Sequence, residues 1–267
     1  NNSLFPNRLV FMEPSNTESM KQLQKLAVQA GEAIMAIHEI GYAEKIKEDS
    51  SKVTDADLAS NEIISEGLKE LFPEIPIVSE EGDQEFSGER FWLVDPLDGT
   101  KEFIEGLRDF TVNIALIENQ RPVLGIVHLP MSEDTYVGSS AGAWKYWNGE
   151  TIPLSVSIRE RNPRIVTSRS HLDSETEDFI ELFREKHVLE AGSSFKFCLI
   201  AEGTAEVYPR FGRTMEWDTA AGQAVLEAAG GLVLEANTYK QFTYAKPGFE
   251  NPGFIAISGK EILGNML

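Results

Sequence analysis

The sequence predicts a mixed fold in two halves: helices packed on an antiparallel sheet, then an alternating α/β unit. Three observations predict it. Two helical periodicities precede a series of strand-like runs joined by short turns. From about Arg159 strand-like and helix-like runs alternate. Between these regimes, near Val156–Pro163, no flexible linker intervenes, so the halves are expected to pack tightly. The first half is taken as residues 18–158 and the second as 159–267, with Asn1–Thr17 as a leader outside the fold. That leader lacks the charged-then-apolar pattern of a secretory signal.

Each element has a local reason. Thr17 to Gly41 sets Leu23, Leu26, Ala27, Ala30, Ile34 and Ile37 at helical spacing and stops at glycine. Thr54 to Phe72 repeats this with Ile63, Ile64, Leu68 and Leu71, and Pro73 ends it. Strands are predicted at Ile75–Ser79 and Phe91–Asp95, then at Thr111–Ile117 and Val123–His128 as an antiparallel pair. Thr135–Gly138 and Ala143–Trp147 follow, the latter turning at Asn148-Gly149. In the second half, strands at Ile165–Thr167, Val188–Glu190, Ala205–Tyr208 and Leu232–Leu234 alternate with helices at Ser174–Lys186, Phe195–Glu202 and Thr219–Ala229.

Composition excludes several classes of function. A chain of 267 residues, 42% hydrophobic and 25% charged, can bury a large core without staples. Cys198 is the single cysteine, so no intramolecular disulfide forms and a reducing compartment is expected. Four histidines and that cysteine supply neither a Cys-rich nor a His-x-x-x-His zinc site. No apolar run approaches the roughly 18 residues of a membrane span, so no transmembrane segment is expected. The net charge of −19 argues against nucleic-acid polymers and against anionic lipid as partners.

The acid is concentrated. From Glu74 to Asp109 eleven carboxylates stand against Arg90, Lys101 and Arg108, which is −8 of the total −19. A charge run is ordinarily a solvated surface. Here, however, Pro76-Ile77-Val78-Ser79 leads into Glu80, and Phe91-Trp92-Leu93-Val94 leads into Asp95. A buried carboxylate must be paired or must bind a metal, and the local cations are too few to pair them all. Asp95-Pro96-Leu97-Asp98-Gly99-Thr100 then sets two carboxylates three residues apart where a strand ends. Pro96 fixes the backbone and Gly99 permits a tight turn, so Asp95, Asp98 and the Leu97 carbonyl can converge on one point. Oxygen-only ligation selects a hard cation, Mg²⁺ first. The amides of Gly99 and Thr100 open a helix and suit phosphate.

With this motif, Ser79-Glu80-Glu81 upstream and Trp217-Asp218-Thr219-Ala220-Ala221-Gly222 downstream, the chain resembles the Mg²⁺-dependent, lithium-sensitive inositol monophosphatase superfamily from about Glu18 to Ser258. Within it, Asp98-Gly99-Thr100-Lys101-Glu102-Phe103, Thr167-Ser168-Arg169-Ser170-His171 and Gly192-Ser193-Ser194-Phe195-Lys196-Phe197-Cys198 look most like the CysQ-type 3′(2′),5′-bisphosphate nucleotidases. The resemblance implies a layered αβαβα sandwich of the inositol monophosphatase and fructose-1,6-bisphosphatase type. It implies two or three Mg²⁺ ions on Glu80, Asp95, the Leu97 carbonyl, Asp98 and Asp218, with Mn²⁺ as a substitute and Ca²⁺ and Li⁺ inhibitory. It also implies that Thr100, held by Glu80 or Asp57, activates a water that removes the 3′-phosphate of adenosine 3′,5′-bisphosphate.

The small-molecule nucleotide is expected against Ser168, His171, Gly192 and Lys196, beside Glu80, Leu97, Asp98, Gly99, Thr100 and Asp218 at the phosphate. The 5′-phosphosulfate analogue is the second candidate substrate.

Structural readings stand beside these roles. Thr54-x-x-Asp57 fits a helix-start box, Asp218 suits a helix N-cap, and Arg210 and Arg213 suit surface ion pairs as well as phosphate. Cys198, among Phe195, Phe197, Leu199 and Ile200, reads as core packing. The alternatives are an inositol monophosphatase or fructose-1,6-bisphosphatase, or a non-catalytic acidic protein that binds cations. The cytoplasm is the expected location, with peripheral contact at the inner membrane as a variant, and the oligomeric state is left open.

Overall fold

α1 (Thr17–Ile40) and α2 (Asp55–Leu71) lie side by side and bury the apolar stripes that their periodicity predicts, including Leu23, Ala27, Ile34, Ile64 and Leu68. The computed structural model describes residues 17–46, 52–82, 84, 86, 88–170 and 172–265. The expected leader thus lies outside the described residues except for Thr17, which opens α1. Between the helices, β1 (Glu44–Ile46) and β2 (Lys52–Thr54) form an antiparallel pair.

The chain then builds β3 (Ile77–Ser79), β4 (Arg90–Asp98), the five-residue helix α3 (Thr100–Ile104), and β5 (Thr111–Glu118). Hairpins continue through β6 (Arg121–Leu129), β7 (Asp134–Ser139), β8 (Gly142–Trp147) and β9 (Glu150–Pro153). These strands form one seven-stranded sheet in sequence order, antiparallel except for the β3–β4 pair. The second half supplies β10 (Arg164–Ser168), α4 (Ser174–Glu181), β11 (His187–Ala191), α5 (Phe195–Ala201) and β12 (Val207–Arg210). It closes with α6 (Glu216–Ala228), β13 (Leu232–Glu235) and β14 (Phe254–Ile257). Its sheet runs β11-β10-β12-β14-β13, with β10 parallel to its two neighbours and β14 antiparallel to both of its own.

The period-two alternation of the strands sorts side chains into layers. On β4, Trp92 and Val94 face α1 and α2, while Phe91 and Leu93 face the opposite core. That central core joins them to Phe197, Ile200, Ala221 and Val225 of α5 and α6 and to Val166, Tyr208 and Phe254 of the second sheet. The outer face of the second sheet packs Ile165, Val207 and Ile255 under Phe179, Ile180 and Phe183 from the α4 side. The order is helix, sheet, helix, sheet, helix.

α6 belongs to the second half by sequence yet rests directly on the first sheet. A Cβ added at Gly125 would lie 2.3 Å from the Ala221 carbonyl oxygen, and one at Gly138 would lie 2.4 Å from Val225 Cα. Glycine at both positions is what admits the helix.

Several expected boundaries shift. α4 stops at Glu181 and not Lys186, because Leu182 and Phe183 donate to Phe179 and Ile180 in a tightened last turn before His187 joins Pro163. α6 begins at Glu216, three residues before the expected start. β4 continues through Pro96 to Asp98 with a register shift after Asp95, where a missing amide costs no ladder bond. β1, β2, β9 and β14 were not expected. No described helix is long and apolar enough to cross a membrane.

Candidate active site

The irregular end of β4 makes the site. Asp95 accepts the Leu97 amide at 3.1 Å, and the Ser60 hydroxyl of α2 holds the Pro96 carbonyl at 2.7 Å. Gly99 then turns the chain with φ of +89°, a conformation that glycine adopts without strain, and α3 begins at Thr100. The Thr100 hydroxyl lies 3.0 Å from Asp57 Oδ1 and 3.3 Å from the Leu97 carbonyl oxygen. Asp57 uses its other oxygen for α2: Oδ2 accepts the Thr54 amide at 2.8 Å and the Thr54 hydroxyl at 2.6 Å. The helix-start box and the Thr100 contact therefore coexist on one carboxylate.

Asp218 arrives from the other half. It is the third residue of α6, not its cap, and its Oδ2 turns back to accept the Met215 amide at 2.7 Å. One oxygen each from Asp95, Asp98 and Asp218 lie within 4.8 Å of one another. Asp98 is held by the Ser194 amide at 2.6 Å and the Asn113 amide group at 3.3 Å. Glu80 follows β3, with its amide on the Val94 carbonyl at 3.1 Å, and its charge bears on Asp95, Asp218 and Asp57.

Burial, first of all, and then the neighbouring carboxylates push Asp95 and Asp218 well above the usual carboxylate range. Burial also raises Asp57, and it lifts Asp98 to about 6 despite the opposing charge of Lys196. Such a group favours either protons or a cation. The donors are all oxygen, which fits Mg²⁺ in type and charge.

These residues open onto a cleft of about 880 Å³ between the halves. Glu80, Asp98, Thr100 and Asp218 line it together with Ser168, Ser193, Lys196, Tyr208, Arg210 and Arg213. Lys196 is 3% exposed, donates to the Ser193 carbonyl at 2.6 Å and stands 5.1 Å from the centre of the Tyr208 ring. Burial lowers it to about 8, against the charge of Asp98.

Not every expected contact is brought to the cleft. Gly192 packs against the first half, donating to Asp109 Oδ2 at 3.1 Å, and the neighbouring Ser193 lines the cleft instead. His171 lies outside the described residues. Cys198 is fully buried in the central core. Sequence reasoning missed Asn113, Ser194 and Tyr208. Asn113 was detectable as one amide in the apolar run Thr111–Ile117; the other two carry no local signal.

A model of the inositol monophosphatase family matches residues 15–260. The 3′(2′),5′-bisphosphate nucleotidase CysQ of Salmonella typhimurium is 44% identical over 244 residues, spanning 88% of this chain and 98% of its own. That of Escherichia coli K12 is 42% identical over 242 residues, with the same coverage of 88% and 98%. Among solved structures, CysQ from Bacteroides thetaiotaomicron matches with a TM-score of 0.82 at 35% identity, over 93% of this chain and 100% of that one. A Thermotoga maritima IMPase matches with a TM-score of 0.77 at 25% identity, over 93% and 94%.

Proposed function

The chain belongs to the inositol monophosphatase family, and from that premise we propose that it is a 3′(2′),5′-bisphosphate nucleotidase. Its substrate in this reading is adenosine 3′,5′-bisphosphate, converted to AMP and phosphate, with the 5′-phosphosulfate analogue as a second substrate. One observation carries the reading: the buried Asp95 and the half-buried Asp98 and Asp218 converge beside the Thr100–Asp57 pair, in a cleft that also presents Lys196 and Arg210.

Glu80, Asp95, Asp98, Asp218 and the Leu97 carbonyl would hold two or three Mg²⁺ ions. When bound, Mg²⁺ supplies Lewis-acid charge to the phosphoryl oxygens and offsets the repulsion between a polyanionic nucleotide and a chain of net charge −19. The Thr100 hydroxyl takes a proton from the attacking water and passes its own to Asp57 Oδ1, 3.0 Å away. Burial raises the affinity of Asp57 for that proton. The P–O3′ bond breaks as the water oxygen bonds phosphorus, and a solvent proton completes the ribose hydroxyl.

Residues 18–158 carry this chemistry except for Asp218, and residues 159–267 carry recognition. There Lys196, protonated below about pH 8, meets the 5′-phosphate, with Ser168, Arg210 and Arg213 of the same cleft as further contacts and His171 assigned from its sequence motif alone. The single buried cysteine suits work in the reducing cytoplasm.

A phosphate-release panel tests the proposal. Release from adenosine 3′,5′-bisphosphate should require Mg²⁺, persist with Mn²⁺ and fall with Li⁺ or Ca²⁺. Faster release from inositol 1-phosphate or fructose 1,6-bisphosphate would move the substrate to those alcohols. No release from any of them with Mg²⁺ would leave a cation-binding protein without activity.

A further inference from the structure

Glu102 is a carboxylate that the chemistry above does not use. It sits on α3, two residues past Thr100, and is 3% exposed. Burying a carboxylate is costly unless a specific partner holds it. Its partner comes from the other half of the chain: the Ser170 hydroxyl donates to Glu102 Oε1 at 2.6 Å.

The fit around Glu102 is close on both sides. A Cβ at Gly99 would lie 3.3 Å from Glu102 Oε2, and one at Gly192 would lie 3.0 Å from Glu102 Cγ. Glu102 is thus wedged between the turn that ends the metal motif and the turn that leads to Lys196. Asp109 strengthens the same junction. Its Oδ2 accepts Arg169 Nη1 at 2.7 Å and the Gly192 amide at 3.1 Å, and its carbonyl accepts the Ser193 hydroxyl at 2.5 Å. Two first-half carboxylates therefore grip the two second-half segments, 168–170 and 192–194, whose Ser168 and Ser193 line the cleft.

We propose that Glu102 is a positioning residue for nucleotide specificity: through Ser170 it fixes the end of β10 at the distance from the metal cluster that the distal half of the substrate requires. A small phosphomonoester never reaches that wall and does not sense it. The inference rests on the nucleotidase reading above and gives Glu102, which lines the same cleft, a role exerted through Ser170.

The test compares adenosine 3′,5′-bisphosphate with p-nitrophenyl phosphate in Mg²⁺. Glu102→Ala should raise KM for the nucleotide about 10- to 100-fold, the value of a hydrogen bond to a charged group, and leave kcat unchanged. Its kcat/KM for p-nitrophenyl phosphate should match wild type. Glu102→Gln keeps an acceptor for Ser170 and should restore most of the nucleotide KM. Ser170→Ala should reproduce the Glu102→Ala effect, and the double variant should add nothing to it.

Equal losses on both substrates, an unchanged nucleotide KM, a Gln variant as poor as Ala, or additive single effects would each overturn the proposal. Should Glu102→Ala fail to fold, Ser170→Ala, which removes one hydroxyl, decides alone. Wild-type protein inert toward the nucleotide would sink the underlying reading, and this proposal with it.

Discussion

Asp57 divides its two oxygens between fold and site, so the two uses separate by mutation. Thr54→Ala removes the hydroxyl end of the helix-start box and should cost about 0.5–2 kcal/mol in a denaturant titration, with kcat nearly unchanged. Asp57→Asn keeps the shape but loses the proton acceptor beside Thr100, and kcat should fall by about 10²–10⁴. Equal kinetic losses in the two variants would remove Asp57 from the proton path. Asp95→Asn should abolish turnover while the fold persists, because it takes a charge from the cluster and leaves the packing of β4 intact. A variant with wild-type rates in Mg²⁺ would contradict the metal assignment. Lys196→Ala tests recognition: kcat/KM for the bisphosphate nucleotide should fall about 10- to 100-fold through KM, the worth of one charge-assisted phosphate contact. An unchanged KM would remove Lys196 from the nucleotide site.

Among the elements, α6 does the most to bring the halves together, and Gly125 and Gly138 are where the first sheet receives it. Gly125→Ala would drive a methyl group to 2.3 Å from the Ala221 carbonyl oxygen and 2.7 Å from Ala224 Cβ. The helix must move or the sheet must bend, at a cost of about 1–3 kcal/mol or more, read as a lowered thermal midpoint. Because Asp218 rides on α6, calorimetry should also show weaker Mg²⁺ binding; wild-type values of both would contradict this account of the packing. The elements that build this junction were mostly legible in sequence, since α1, α2, α5 and β4–β8 announce themselves by periodicity. The Asp95-to-Thr100 motif was legible for the same reason, its spacing being local. β1 and β2 are three residues each and too short to show a period. β9 ends at a proline, and β14 follows a Gly- and Pro-rich loop, so both read as connections. Gly192 illustrates the other limit. Its place in a motif expected to contact the nucleotide gives no sign that Asp109, 83 residues away, takes its amide.

At the scale of the whole molecule, folding forces carboxylates together in a chain whose net charge is already −19. Burial and neighbouring charges raise Asp95 and Asp218, and Asp98 rises to about 6. A carboxylate whose folded pKa lies above its unfolded value holds its proton more tightly in the native state. Its contribution is therefore fully present below about pH 4 and is lost as pH rises through about 6 and beyond. Metal-free protein should show this loss as a falling thermal midpoint between about pH 5 and pH 7.5. In the metal assignment proposed above, Mg²⁺ would compete with protons for the same oxygens, so the stabilisation it confers should grow across that window. The informative quantity is the midpoint with Mg²⁺ minus the midpoint with chelator, at matched ionic strength. Screening of the general negative charge contributes equally to both arms and cancels. A difference that rises with pH in wild type and flattens in Asp98→Asn would tie the effect to this cluster. A difference independent of pH would mean that the carboxylates are already ionised without metal, and the electrostatic account of the site would fail.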